Sequence, residues 1–210
     1  GEVDLFMSSK LSQKLSFVGE LVIGPGLDNE WGLDLERVQL TYRASPFFEV
    51  SAVRYHSAIG YYNTAYHHGT WFQTAVGRPA LMAFEDAGGI LPVHNVGVSA
   101  SGRVGPDAAG LTWTAEVGNG RAPLDTPGVL NKVGAGSRKS VAVGLSAKPD
   151  RLEGAQFGIF VNRDDLRATA SAQGIPETIV AGTGKVITRV KKVWRVSIRF
   201  EGSEIRRGGA

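Results

Sequence analysis

The segment GLTWTAEVGNG at 110–120 puts Leu111, Trp113, Ala115 and Val117 at every second position, with Thr112, Thr114, Glu116 and Gly118 between them. Strict period two suits a pleated strand, whose side chains alternate between faces, and not a helix, whose period is about 3.6. The pattern recurs. Val141, Val143, Leu145 and Ala147 alternate with Ala142, Gly144, Ser146 and Lys148, and Val96, Val98 and Ala100 alternate with Gly97, Ser99 and Ser101. Phe157, Ile159 and Val161 stand against Gln156, Gly158 and Asn162, and Leu15, Phe17, Leu21 and Ile23 mark a further run. Each run predicts a strand with one apolar and one polar face. Two runs slip in phase. Leu33 and Leu35 give way to Val38, Leu40 and Tyr42, which predicts a bulge near Glu36 and Arg37. Phe48, Val50 and Ala52 give way to Val53 and Tyr55. Eight strands are expected by residue 163, with one or two after it.

The runs last about 9–11 residues, the length a tilted strand needs to cross a bilayer, against about 5–6 for an ordinary soluble strand. Their connections alternate in length. Short turns are expected at 11–14, 44–47, 105–110 and 148–154, and longer links at 25–30, 57–93, 119–139 and 164–176. In an antiparallel meander the short turns then gather at one end and the long loops at the other. Together these features predict an all-β fold, an antiparallel up-and-down outer-membrane β-barrel or partial barrel of about 8–10 strands, apolar faces toward lipid and polar faces toward a wet lumen. A soluble β-sandwich also alternates and is the competing architecture.

Glycine supplies 28 of 210 residues, well above the usual share of about 7%, and disfavours helices. The absence of cysteine excludes disulfides and thiolate metal sites. No stretch approaches the roughly 20 apolar residues of a membrane-spanning helix. The chain begins with Gly1 rather than Met and is read as a processed product or a fragment. Its net charge of +3 comes from one end: residues 181–210 hold eight basic and two acidic groups, leaving 15 basic and 18 acidic groups before them. The basic tail at 181–210 is therefore set apart from the barrel segment at 1–180, and the net-acidic body argues against a nucleic-acid partner.

The stretch VSAVRYHSAIGYYN resembles the porins of the phosphate-selective type and related Gram-negative outer-membrane proteins. Ser51 to Tyr55 resemble their strand of alternating residues that ends in a basic or polar pair and an aromatic, and Ala58-Ile59-Gly60 resemble the turn after it, although Ile59 replaces the usual aromatic and the proline is missing. GLDLERVQLTYRASPFFEV, FEDAGGILPVHNVGVSASGRV and AEVGNGR are similar to neighbouring strands and hairpins of the same proteins, most specifically over 31–121. The resemblance implies a passive or weakly selective pore in the bacterial outer membrane, with membrane lipids and small hydrophilic solutes as partners and a homo-oligomer as one possible assembly. It does not carry phosphate selectivity over, because that needs stacked lumenal Arg and Lys and this body is net acidic. The terminal EIRRGGA lacks the aromatic that ends such barrels, so the chain reads as a truncated or altered version of a longer one.

The long link at 57–93 holds YYNTAYHHGTW, dense in aromatics and free of charge. The expectation is a constriction loop folded against the inner wall or over the mouth, with Tyr61, Tyr62, Tyr66, His67, His68 and Trp71 limiting passage. Asp34, Glu36, Arg37, Arg54, His56 and Glu116 fall on or beside polar faces and are expected to line the pore, where charges filter solutes. The net-acidic body favours cations and neutral solutes over anions. The same aromatics would also serve as stacking platforms in a soluble or surface β-sandwich that binds carbohydrate, the competing function. No nucleophile–base spacing points to an enzyme, and no cofactor is expected. The histidines show no H-x-x-x-H spacing, so no metal is expected in the 56–94 region, although His56, His67, His68 and His94 could converge with Glu85 or Asp86.

Overall fold

The computed structural model describes residues 3–25, 30–66, 83, 93–105, 109–120, 139–152, 154–167, 174–190 and 194–207. Ten strands follow one another: β1 Val3–Lys10, β2 Leu15–Pro25, β3 Trp31–Ser45, β4 Phe48–His56, β5 His94–Arg103, β6 Leu111–Gly118, β7 Ser140–Ala147, β8 Gln156–Arg167, β9 Gly174–Val190 and β10 Trp194–Arg207. All lie in one sheet in chain order, each paired antiparallel with the next. This is the expected meander. β1 and β10 are its two edges, so the sheet is a partial barrel rather than a closed one. A sandwich would need two sheets, and the ten strands form one. The expected boundary at 180/181 falls inside β9, and the tail supplies the rest of the last hairpin.

The links at 11–14, 46–47, 104–110, 148–155 and 191–193 share one end of the sheet, and those at 57–93 and 119–139 lie at the other with the shorter 26–30 and 168–173. Both long loops therefore sit at one end. The last of the expected long links is shorter than its sequence suggested, because β8 and β9 run on through charged and proline-containing residues.

The first predicted phase slip is a bulge. Glu20 pairs with Arg37 and Leu21 with Leu35, so Glu36 is the extra residue of β3. Two residues then oppose one, and the side chains beyond the bulge change phase. The second slip has a different cause. The pairing of β4 with β5 is unbroken, but Val53 has φ 87, rare for a β-branched residue. After it, Tyr55 and His56 both reach partners on one side of the sheet. Val53 is exposed as the slip predicts, whereas Tyr55 turns inward and is buried.

The two faces are unlike. Leu33 (68% exposed), Val143 (52%) and Ile159 (57%) share the outer face with exposed Leu35, Val98, Val117, Val141, Leu145 and Phe157, while Leu111 and Trp113 beside them are half-buried. The inner face holds Glu116 and Asn162, each 2% exposed, with buried Ser51, Ser140, Asp164, Glu177 and Thr183. On β10, toward the long-loop end of the outer face, Glu204 and Arg206 pair at 2.8 Å in positions opposite Val180 and Thr178.

Candidate functional site

Where β4 ends, the chain turns onto the inner face and is held there by a carboxylate. Ser57 Oγ donates to Glu116 Oε2 at 2.8 Å and the Ala58 N–H donates to Glu116 Oε1 at 2.8 Å. Ser99 Oγ, on β5, reaches the same oxygen at 3.4 Å. The two ends of the 57–93 link are tied together as well. The Ser57 N–H donates to the Val93 carbonyl at 2.9 Å, and Asn63 Nδ2 donates to the Ser57 and Val93 carbonyls at 2.7 and 3.0 Å. These donors and acceptors are buried, where an unmade hydrogen bond costs about 1–3 kcal/mol.

From Ser57 the chain passes Gly60, whose φ of 80 suits glycine, into a single helical turn, α1 Tyr61–Ala65. Ile59, Tyr62 and Tyr66 pack on Ala142 of β7, Phe160 of β8, and Ile179 and Ala181 of β9. The rings of Tyr62 and Tyr66 lie 5.5 Å apart between centroids. Phe160 needs the glycines around it: a Cβ at Gly144 would lie 2.3 Å from its ring, and one at Gly158 2.8 Å away. Residues 59–66 thus lie against the inner wall. His67, His68 and Trp71, with Glu85 and Asp86, fall outside the described residues, and of Tyr61 only the backbone is described.

A second cluster stands on the inner face of β2 to β5. Arg37 and Glu20 pair across the bulge at 2.9 Å, and Arg37 also lies 5.7 Å from the centroid of the Phe6 ring. Glu36, the bulged residue, places Oε2 2.6 Å from His94 Nε2. His56, opposite His94 in the register, stands with Nε2 3.8 Å from Glu20 Oε2, and the two imidazole centroids are 5.2 Å apart at 75°. Arg54 donates through Nε to the Glu36 carbonyl at 3.0 Å. Asp34 is half-buried opposite Val22.

Glu36, Arg37, Arg54 and His56 therefore meet in one place, whereas Glu116 acts at the loop anchor. Sequence reading missed Glu20 and the part His94 plays beside Glu36. It expected no metal from histidine spacing, and named Glu85 or Asp86 rather than Glu36 as the acid that could join converging histidines. The structure instead unites His56 and His94 across strands with Glu36, and one ligand atom from each lies within 4.8 Å of the others.

The outer face adds a feature the sequence reading passed over. Tyr42, Phe48, Trp113 and Phe157 lie near the short-turn end of their strands with Phe47 in the turn itself, and Phe48 and Trp113 approach to 6.0 Å between centroids. Each lies beside a short turn, a signal already present in the sequence. Comparison with protein-family models, curated proteins and solved structures finds no match for this chain.

Proposed function

We propose that this chain forms wall and constriction of an outer-membrane pore through which small hydrophilic solutes diffuse. One observation carries the reading: the sheet is inverted, with large apolar side chains exposed on its outer face and buried polar and charged groups on its inner face. In water, that arrangement leaves apolar area unpaid and desolvates charge. In a bilayer the same outer face meets hydrocarbon, and the strand lengths suffice to cross it. The row of aromatics at the short-turn end fits an interfacial girdle, where amphipathic rings settle. The Glu204–Arg206 pair lies toward the long-loop end of β10, near the interface, where charge costs only about 0–1 kcal/mol. Residues 57–66 narrow the lumen, and the acidic inner wall favours cations and neutral solutes over anions.

The test is reconstitution in planar bilayers of an intact, full-length version whose wall closes. Discrete conductance steps are expected, larger after deletion of 61–72 and with insertion unchanged. Unchanged steps would make that loop external decoration. Failure to partition into liposomes would remove the pore reading altogether. Val143→Arg, near the middle of the apolar band, is expected to weaken folding into lipid by about 2–4 kcal/mol, read from urea titrations in liposomes.

A further inference from the structure

We propose that Glu36, His56 and His94 form a binding site for a divalent transition cation of the zinc class. The three come from separate strands, β3, β4 and β5, and each offers a ligand atom within 4.8 Å of the others. Two imidazoles and one carboxylate are a donor set that zinc, cobalt, nickel and copper accept, and one that magnesium and calcium, which take oxygen ligands, do not favour. The group is preformed by two irregularities. The bulge at the Glu20–Leu21 step brings Glu36 to the inner face, and positive φ at Val53 precedes the inward turn of His56. Backbone irregularity of this kind is retained where it aims a side chain.

In the present arrangement His94 Nε2 and Glu36 Oε2 stand 2.6 Å apart. Tetrahedral coordination with bonds near 2.0–2.2 Å would hold two such donors about 3.3 Å apart, so this pair opens by about 0.7 Å while the widest pair, at up to 4.8 Å, closes by up to about 1.5 Å. Glu20, 3.8 Å from His56, becomes the carboxylate that steers this imidazole, and Arg37 fixes Glu20 in turn. A carboxylate behind a metal-bound histidine is a common supporting partner. Arg37 and Arg54 offset the charges of Glu20 and Glu36, which sets the site toward moderate, exchangeable binding rather than permanent retention. Three protein ligands leave a fourth position for water or a passing ligand. The inference goes beyond the pore reading and stands without it, because it rests on the cluster alone.

The experiment is equilibrium dialysis of the full chain, in detergent micelles, against zinc chloride and separately cobalt chloride. One equivalent of zinc is expected, not displaced by excess magnesium, and cobalt should give visible ligand-field bands. His56→Ala, His94→Ala and Glu36→Gln should each weaken binding by at least about 10-fold, the loss seen even for supporting partners. The double variant His67→Ala/His68→Ala should bind as the parent does. If a variant fails to fold, copper bound to the parent chain gives the same answer, since its paramagnetic resonance spectrum should carry the splitting of two nitrogens. Absence of saturable zinc binding to the parent overturns the proposal and leaves the cluster as hydrogen-bonded wall. So does binding lost with His67 and His68 but kept without His56 and His94, or a copper spectrum with fewer than two nitrogens.

Discussion

Glu20, Glu36, Arg37, Arg54, His56 and His94 line the inner wall across β2 to β5, while Ala142, Phe160, Ile179 and Ala181 line it across β7 to β9. In the first half acids and bases meet across adjacent strands. The second half carries an apolar patch among buried Ser140, Asn162, Asp164, Glu177 and Thr183, and the chain covers that patch with its own turn, Ile59 to Tyr66. Glu116 on β6 lies between them and belongs to both, a buried carboxyl group that anchors the apolar cover. An inner wall can thus be protected from water in two ways, by pairing its charges or by roofing its apolar patches. The two ways should respond differently to substitution.

The largest effect should come from the roofed half. Phe160→Ala removes the ring on which Tyr62 and Tyr66 rest and should cost about 3–5 kcal/mol, as large-to-small core changes do. Chemical denaturation in detergent micelles measures this, and a loss below about 1 kcal/mol would mean the roof is not packed. Glu116→Ala should follow at about 2–4 kcal/mol, since the Ser57 hydroxyl and the Ala58 N–H lose a buried acceptor. It should also open the turn to chymotrypsin at Tyr62 while β6 stays paired. Resistance equal to the parent would show that the turn is held by its aromatics alone.

The charged half should yield less. Glu20→Gln should cost about 1–2 kcal/mol, because Arg37 keeps an acceptor and loses only the ionic part. A double-mutant cycle with Arg37→Met should return a coupling of the same size, and zero coupling would make the pair incidental. The smallest change should be a gain. Val53→Gly relieves positive φ at a β-branched residue and should stabilise the chain by about 1 kcal/mol. A loss would mean that Val53 contributes packing that outweighs its backbone.

Much of the fold was legible because its signals are local. Period two marked the strands, and the break between Leu35 and Val38 marked the bulge, since one inserted residue reverses every face beyond it. The second break was visible at Val53, but its outcome was not. Alternation alone sends Tyr55 outward, and only its hydrogen bond to the Val98 carbonyl at 3.3 Å and its burial reveal the inward turn. The meeting of Glu36 with His94 was illegible for another reason. It depends on the register of three strands and on a link from 57 to 93, and no spacing rule within one element can express that. The aromatic row at the short-turn end could have been read from Tyr42, Phe48, Trp113 and Phe157, each within three residues of a turn.

The Glu116 anchor also fixes an order of events. Each strand pairs with its immediate successor, so the sheet can grow by short closures that cost little chain entropy. Ser57 reaches further, because its carboxylate partner lies 59 residues along the chain. A chain made from its N-terminus presents the turn well before the strand that will receive it. The turn therefore latches only after β5 and β6 have paired, and it covers Ala142, Phe160, Ile179 and Ala181 only once β7 to β9 have followed.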